Sequence, residues 1–463
     1  MQKLSLIITP KSTFNATSLT SVISKEHIES IARQEGALIR RRKFSLSSYL
    51  INAVKNMCAP VKKSEFTLCS MHESYNRLHP DNTLSHKCIH KQLQSDESLN
   101  TVKILLAEAL SLYQSKAFYR ELKKSLPEDL DKLLTELKVK DIILIDGTEI
   151  DLSYSCADNF SCKGKGRLRL DGKPPRPGLK LHVAFSVIKH TFEYIEITEA
   201  VGSERDCVHP ERFNNCLIIA DRGYVNEELE KRIADSGNLF LIRGKSNTAG
   251  SITKAVSDEF AEIKEFKGLK VNQLPLDANA DLQVESARGH SIRVIVRHHK
   301  HNDDSCSIIR TNIPGDRLCA KQIYLLYRLR WTIELFNKAN KQSSCLQSIN
   351  SADKNIILIF LLLSVLVSVI KTYCGHKARF ENNLKWLSML KLHKRNAVFK
   401  KLYEALLSKG LSTVYQIFKE LLDDIALNAK RSMPSNRDRV ELKDLPLLIW
   451  QIVNHPRPDR KIA

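Results

Sequence analysis

Residues 327–341 read YRLRWTIELFNKANK, and this stretch decides how a functional helix meets the core of the fold. At ~100° per residue, its polar side chains fall within roughly a 60° stripe of one helix face. That stripe consists of Tyr327, Arg330, Glu334 and Lys341. The opposite face is apolar and can dock on a core, through Leu325, Leu329 and Phe336. One carboxylate is therefore held among phosphate-binding groups, which is typical of a metal ligand beside a nucleic-acid backbone.

The charge of the chain indicates a polyanionic partner. Its 463 residues carry a formal net charge of +20, with 43% hydrophobic and 27% charged residues. This composition predicts a folded protein of about two to four domains rather than a disordered one. Basic residues recur along the whole chain, so we expect a positive surface that binds duplex DNA or RNA partly by releasing counterions. A basic protein without a specific partner is the alternative.

Cysteine usage and apolar runs favour a cytoplasmic protein without a membrane partner. The eleven cysteines are scattered singly with no Cys-x-x-Cys pair, which favours reduced thiols over a disulfide framework or a zinc site. The N-terminal residues have no export signal. The apolar run 356–370 has 15 residues, short of the ~20 that span a bilayer, so we expect a helix buried in the core.

Residues 1–135 predict a helical domain without strands. One helix opens at Ser24 and runs into the basic stretch 40–43, and a second apolar segment covers 49–54. Ser85 caps a short helix whose exposed face carries His86, Lys87, His90 and Lys91, as a recognition helix does. An ordinary surface helix gives the same pattern. The residues assigned to DNA binding in this domain are Arg40, Arg41, Arg42, Lys87 and Lys91.

Residues 138–242 predict a mixed sheet. Short apolar runs at 141–146 and 216–221 are typical of buried strands, and each ends in an aspartate. Segments 179–188 and 192–197 alternate with the period of a strand and are joined by a tight connection. A helix at 226–236 and a strand at 239–242 follow. Hairpin-connected strands followed by alternating strands and helices favour a sheet with both antiparallel and parallel pairs.

The remaining segments predict an insertion and a helical C-terminal part. Residues 245–315 are expected to form a β-rich insertion, with strands at 292–296 and 307–310. The helix of the polar stripe starts near Ala320, and helices continue to about residue 425. The tail from residue 432 onward is rich in Pro, Arg and Asp and is expected to be partly mobile.

Three acidic residues are the candidate catalytic groups. Asp146 and Asp221 end buried strands, where α/β sheets build sites, and Glu334 comes from the helix. Converging carboxylates repel unless cations neutralise them, and oxygen ligands without Cys or His favour Mg²⁺ or Mn²⁺. Two such ions would support an in-line attack on phosphorus.

Each of these acidic residues also has an ordinary structural interpretation. Asp146 and Asp221 can form turns or caps, and Glu334 can pair with Lys338 at i+4. Glu149 and Asp151 lie past the first strand end and are expected to be solvated. Glu204 and Asp206 are expected to cap the next helix, although Asp206 could lie near the site.

The chain resembles the DDE transposases of bacterial insertion sequences, specifically the IS4-like group. The family signature is Tyr, two residues, Arg, three residues, Glu, six residues, Lys, and the chain matches it at Tyr327, Arg330, Glu334 and Lys341. The stretches Ile-Asp146-Gly-Thr and Ala-Asp221-Arg-Gly-Tyr look like the family's first and second acidic motifs. Residues 178–185 and 202–204 are similar to the stretches between them.

The resemblance implies a fold and an activity. The fold is an RNase H-like mixed-sheet core at 136–375 that contains the β-rich insertion, with an N-terminal helical DNA-binding domain at 1–135 and a C-terminal helical region at 376–463. The activity is metal-dependent nicking at terminal inverted repeats, then strand transfer into target DNA by a homodimer. Tyr327, Arg330 and Lys341 would hold DNA phosphates, and Lys338 and Arg222 are assigned to DNA as well.

Two alternative functions remain, and the sequence does not decide whether a DNA hairpin is formed during the reaction. An RNase H-like nuclease would cleave without joining, and a domesticated protein would bind DNA without catalysis. Some relatives form a DNA hairpin and stack a flipped base on an aromatic residue of the insertion. All three Trp of this chain lie outside the insertion. Phe260 or Phe266 could substitute, but core packing is expected of both.

Overall fold

The computed structural model describes residues 4–11, 18–39, 43–58, 67–162, 176–245, 250–275, 277–298, 306–343, 351–384, 386–429 and 445–455, except for the side chains of 341–343. Ten strands are found in these ranges: β1 (Ser5–Ile8), β2 (Asp141–Asp151), β3 (Gly178–Ser186), β4 (Thr191–Glu199), β5 (Cys216–Ala220), β6 (Leu239–Arg243), β7 (Ser251–Val256), β8 (Ala280–Glu285), β9 (Ser291–His298) and β10 (Cys306–Thr311).

All ten strands belong to one sheet, in the order β1-β4-β3-β2-β5-β6-β10-β9-β8-β7. The pairs β2–β5 and β5–β6 are parallel, whereas the other pairs are antiparallel. The predicted mixed sheet is therefore confirmed. The strands of the predicted insertion do not form a separate sheet, because β10 pairs with β6 and extends the same one.

Helices precede and follow the sheet along the chain. The N-terminal ones are α1 (Leu19–Val22), α2 (Lys25–Gln34), α3 (Leu46–Met57), α4 (Leu68–Leu78), α5 (His86–Leu93), α6 (Asp96–Ser111), α7 (Lys116–Lys124) and α8 (Glu128–Leu137). Those that follow are α9 (Glu227–Asp235), α10 (Ala320–Tyr327), α11 (Trp331–Ser343), α12 (Lys354–Glu381), α13 (Met389–His393), α14 (Asn396–Ser408), α15 (Leu411–Asn428) and α16 (Leu445–Val453).

The alternation of side chains along β2 separates two hydrophobic cores. Ile142 and Leu144 join a core that also contains the N-terminal helices, α11 and the C-terminal helices. Ile143 and Ile145 point to the other face, which is covered by α9 and side chains of β7–β10. Because the first core runs through all three predicted domains without a gap, the limits at 135 and 375 stay a prediction.

The first strand was not expected from the sequence. Residues 1–135 were predicted to be wholly helical, yet β1 pairs antiparallel with β4 at the sheet edge. Ser5 Oγ also donates a hydrogen bond of 2.8 Å to Glu196 Oε1. The prediction was wrong because a four-residue edge strand is stabilised by a partner far away in the chain, not by its own periodicity.

The helix of the polar stripe is interrupted. A single helix through 327–341 was predicted, but α10 ends at Tyr327 and a 3₁₀ turn covers Arg328–Arg330 before α11 begins. Side chains three residues apart eclipse each other in a 3₁₀ turn. Tyr327 and Arg330 are therefore closer to alignment than the ~60° offset of an ideal α-helix allows. The apolar face is as predicted, since Leu329 and Phe336 are buried.

Asp146 lies inside a strand rather than at its end. On one side β3 pairs with β2 from Ile143 to Asp151, so the strand continues past the aspartate. On the other side β5 pairs with β2 only from Asp141 to Leu144. The expected strand end was wrong for β2, but Asp146 does lie just beyond the point where the parallel neighbour stops.

The apolar run at 356–370 belongs to a helix longer than predicted. Helix α12 has 28 residues and could cross a bilayer by length and composition, but its apolar 18-residue window is 100% buried inside the protein. Burial, not length, therefore supports a core helix. The predicted mobile tail also contains a helix, because α16 buries Leu448 and Ile449 and its Ile452 carbonyl accepts from Gln322 Nε2 at 2.8 Å.

A buried carboxyl at the start of β2 should make stability depend on pH. Burial, together with the charge of Glu193, raises the pKa of Asp141 to about 7 against the opposing effects of Lys189 and Ser186. In the folded state this carboxyl keeps its proton up to a higher pH than in the unfolded state. Stability from Asp141 is thus present below about pH 4 and is lost as pH rises towards 7. We expect the urea midpoint of the wild type to fall relative to Asp141→Asn between about pH 4.5 and 7.5.

The exposed Asp235→Asn variant is the control for this measurement. If the urea midpoints of wild type and Asp141→Asn changed with pH in the same way, the pH dependence would not come from the Asp141 carboxyl.

Candidate active site

Strand alternation places both aspartates on the face of the sheet where α11 packs. Asp146 has the parity of Ile142 and Leu144, and Asp221, which follows β5, has the parity of Leu217 and Ile219. Both sets point into the core that contains Ile333 and Phe336 of α11. Because β2 and β5 are parallel and their last paired residues are Leu144 and Ile219, Asp146 and Asp221 each lie two residues beyond the end of this pairing.

Asp146 is held by an amide from α11. Asn337 Nδ2 donates a hydrogen bond of 2.9 Å to Asp146 Oδ2, and the Asn337 side chain is buried. The sequence reasoning missed Asn337. Its i+3 spacing from Glu334 was a usable signal, since it puts the amide on the edge of the same polar stripe.

Asp221 opens a 3₁₀ turn (Arg222–Tyr224) and faces the start of the signature helix. The hydroxyl of Tyr327 donates to Asp221 Oδ1 at 3.3 Å. Burial and the charge of Asp221 raise the pKa of Tyr327, against the opposing effect of Arg330. The phenol therefore stays protonated and serves as a hydrogen-bond donor beside the carboxylate.

Arg330 is the electrostatic centre of the site. Its Nη2 donates to Glu334 Oε1 four residues along the chain, so the ordinary alternative of an ion pair between Glu334 and Lys338 is replaced by one with Arg330. The charge of Arg330 also lowers the pKa of Asp146, while the charges of Glu334 and Asp221 help to raise its own. The guanidinium, 13% exposed as a side chain, thus pairs directly with Glu334 and lies close enough to Asp146 and Asp221 for its charge to act on them.

The carboxyl of Asp146 has an unusual proton affinity. Burial raises its pKa to about 6; Arg330 lowers it, and the charges of Glu334 and Glu204 raise it. A shift of this size is common where several carboxylates share a partly buried site. Among the described residues, these three carboxylates do not all come within 4.8 Å of one another.

Glu204 is a fourth acidic residue at the site. It was expected to cap a helix, but it precedes a 3₁₀ turn and makes no side-chain cap. Lys180 Nζ instead donates to Glu204 Oε1 at 2.9 Å. Its carboxylate reaches the glycine after each aspartate, because a Cβ at Gly147 would lie 3.3 Å from Oε1 and one at Gly223 only 3.0 Å from Oε2.

These two glycines are the signal that could have revealed Glu204. A glycine directly after or close behind each acidic residue indicates close approach of another group to the backbone. The other acidic candidates are farther out, since Asp206, Glu149 and Asp151 are exposed. Glu149 Oε1 lies 3.6 Å from Lys180 Nζ, the same ammonium group that donates to Glu204.

The predicted DNA-binding residues are only partly placed. Lys338 and Arg222 are exposed next to Glu334 and Asp221, and Lys87 and Lys91 are exposed on α5. Arg40, Arg41 and Arg42 lie outside the described residues, as does the side chain of Lys341, whose backbone continues α11. The roles of all these residues in DNA binding stay predictions.

The aromatic residues of the insertion differ in exposure. Phe266 packs against the second core, as expected, but Phe260 is 52% exposed with a φ of 65°. The expectation of core packing is therefore wrong for Phe260. Trp331, next to Arg330, is 48% exposed.

Comparison with known families identifies the class of protein. Residues 137–370, slightly more than half of the chain, match the family described as Transposase DDE domain. The chain therefore belongs to this family and is a DDE transposase. The matched range contains Asp146, Asp221 and Glu334.

Among solved structures, the chain is similar to piggyBac transposase in a synaptic complex with hairpin DNA. The TM-score is 0.42 and the sequence identity 11%, over 94% of this chain and 90% of that chain. Comparison with curated proteins found no match.

Proposed function

We propose that this chain is the transposase of a bacterial insertion sequence related to the IS4 group. It would nick DNA at the terminal inverted repeats of its element and join the freed ends to target DNA. The observation that carries the proposal is that residues 327–337 contact both aspartates beside Glu334: Asn337 donates to Asp146 and Tyr327 donates to Asp221. Three carboxylates beside one guanidinium leave an excess of negative charge, which bound divalent cations would neutralise.

The strand order supports an RNase H-like core for this activity. Strands β4, β3 and β2 are antiparallel, and β5 and β6 continue the sheet in parallel to β2. This is the predicted succession of hairpin-connected strands and alternating strands and helices. It brings Asp146 and Asp221 to neighbouring strands and leaves Glu334 to a helix that packs over them.

The donor set fits hard divalent cations. Asp146, Asp221 and Glu334 offer only oxygen atoms, the ligands that Mg²⁺ and Mn²⁺ prefer. Two such ions, when bound, would supply Lewis-acid stabilisation of the attacking and leaving oxygens at phosphorus. These side chains would hold the ions through their carboxylate oxygens, next to the contacts that Tyr327, Arg330 and Asn337 make with them.

The other side chains orient this set. Asn337 fixes the rotamer of Asp146, and Tyr327 fixes that of Asp221. Lys180 holds Glu204 against the backbone between the two aspartates. Arg330, which pairs with Glu334, has further donors for a phosphate oxygen because a guanidinium carries five N–H groups.

The proposed partner is double-stranded DNA, both at the inverted repeats and in the target. Its net charge of +20 favours such a partner, and the exposed Lys87 and Lys91 of α5 offer basic groups for it. Joining two ends at one target favours a homodimer in a synaptic complex, acting at the bacterial nucleoid in the cytoplasm.

A strand-transfer assay tests the proposal. Labelled duplexes taken from the DNA that flanks the gene would be incubated with the full-length protein, Mg²⁺ or Mn²⁺, and a supercoiled plasmid. We expect nicking at a fixed position in the flanking DNA and covalent joining of the label to the plasmid. Both products should require the divalent cation.

The two alternative functions give different products in the same assay. A nuclease would nick the labelled DNA without joining it to the plasmid. A domesticated DNA-binding protein would retard the labelled DNA in a gel, with or without cations, and cleave nothing. Either result would reject the proposed transposition activity.

A further inference from the structure

Helices α4 and α5 form a hairpin with well-defined ends. Thr67 caps α4 by accepting from the Ser70 backbone, and Ser85 caps α5 by accepting from Cys88. Asn76 fastens the connection, since its Nδ2 donates to the Leu84 carbonyl at 2.8 Å and its Oδ1 accepts from the Leu84 N–H at 3.0 Å. The two helices are thus held side by side before any further group is added.

Three side chains with metal-binding atoms meet on the exposed side of this hairpin. Cys69 and Glu73 are one turn apart on α4, and His86 is the first residue of α5. Cys69 Sγ lies 3.6 Å from Glu73 Oε1 and 3.6 Å from His86 Nδ1. The three ligand atoms all lie within 4.8 Å of one another.

A second observation at the same place points to a ligand. His72 lies on α4 three residues after Cys69, is only 2% exposed, and has neither ring nitrogen hydrogen-bonded. Its ring packs edge-on against that of His86, with 5.0 Å between centroids. Burying a polar group without a hydrogen bond costs free energy, and a metal ion beside His86 would offer such a nitrogen a partner.

We propose that Cys69, Glu73 and His86 bind one Zn²⁺ ion that joins α4 to α5. Zinc takes Cys sulfur at ~2.3 Å and His nitrogen or carboxylate oxygen at ~2.0–2.2 Å, so tetrahedral ligand atoms are about 3.6 Å apart. The distances from Cys69 Sγ to Glu73 Oε1 and to His86 Nδ1 equal this value. The fourth position falls to water or, after a rotation of its ring, to His72.

This site differs in chemistry and place from the acidic site on the sheet. A Cys-His-Glu set selects zinc, whereas the three carboxylates around Arg330 select Mg²⁺ or Mn²⁺. The zinc would fix the first turn of α5 on α4 and thereby orient the face that exposes Lys87 and Lys91. The sequence shows no zinc-type spacing because the ligands come from two helices, and Cys69 and His86 are 17 positions apart.

Metal titration of the reduced full-length protein tests the proposal without DNA. Zn²⁺ alone would be titrated in competition with a chromophoric chelator, and Co²⁺ would replace it to give a thiolate-to-cobalt charge-transfer band. We expect one zinc equivalent with a submicromolar Kd and tetrahedral Co²⁺ spectra. Cys69→Ser and His86→Ala should each weaken binding by more than the roughly 100-fold that loss of an outer partner costs.

The control is Cys88→Ser, which removes an exposed thiol from the same helix α5. This variant should keep both the zinc affinity and the Co²⁺ band. Because positions 69 and 86 are exposed, we expect both variants to fold, and circular dichroism checks the fold of each. Absence of zinc binding by the wild type, or binding that survives both Cys69→Ser and His86→Ala, would overturn the proposal.

Discussion

We expect the replacement of Glu334 by Gln to abolish Mg²⁺-dependent nicking while leaving DNA binding nearly unchanged. Gln has the shape of Glu and keeps an oxygen that can accept the hydrogen bond from Arg330 Nη2, so α11 should fold as before. The substitution removes one of the three charges that a pair of divalent cations needs. We expect the nicking rate to fall roughly 10³-fold or more, the scale on which single catalytic groups act.

The measurement is single-turnover nicking of a labelled end, with gel retardation of the same DNA in parallel. Glu420→Gln, an exposed substitution on α15, is the matched control and should leave both quantities unchanged. Cleavage by the Glu334→Gln variant at near wild-type rate would remove Glu334 from the catalytic set. Loss of DNA binding together with cleavage would instead indicate that Glu334 supports the fold of α11.

The two buried strands that carry the aspartates could be predicted from local patterns. Apolar runs that reach Asp146 and Asp221 predict such strands, and the observed parallel pairing of β2 and β5, which ends at Leu144 and Ile219, is what brings the two aspartates together. The stripe on 327–341 likewise predicted which side chains face the site, since Leu329 and Phe336 are buried and Glu334 is not. Such features repeat every two or about 3.6 residues and so are visible in a single sequence.

Features that depend on distant partners were not visible. Glu204 reaches the site because Lys180 on β3 holds it and because two glycines leave room for it. The hydrogen bond from Asn337 to Asp146 joins residues 191 positions apart. The 3₁₀ turn at Arg328–Arg330 changes the phase of the stripe, and helix periodicity alone assumes a constant phase.

The ion-pair partner of Glu334 is a further feature that helix spacing could not predict. Lys338 and Arg330 are both one turn from Glu334, so spacing cannot choose between them. The choice is made by the surroundings: Arg330 lies on the side of Asp146 and Asp221, whereas Lys338 is exposed. The guanidinium of Arg330 is therefore the favoured partner of Glu334, because it also lies near the negative charges of Asp146 and Asp221.

The largest effect on stability is expected at a buried ion pair that joins the insertion to the core. Glu230 on α9 is fully buried and accepts two hydrogen bonds from Arg310 on β10, from Nε and Nη2, each at 2.7 Å. His290 Nε2 lies 3.2 Å from the same carboxylate. In Glu230→Ala the Arg310 guanidinium would stay buried without its counter-charge, at a cost of about 3–5 kcal/mol.

We expect this destabilisation to extend to the candidate active site, because α9 follows the turn that starts at Asp221, and β10 pairs with β6, which pairs with β5. We therefore expect Glu230→Ala to lower the urea midpoint strongly and to reduce nicking as well. Glu228→Ala, an exposed change on the same helix, should alter neither. The double variant Glu230→Leu/Arg310→Met, which removes both charges, should recover much of the lost stability, since a buried pair costs desolvation that an apolar pair avoids. If the urea midpoint of Glu230→Ala dropped no further than that of Glu228→Ala, water or another group would already compensate the charge of Arg310.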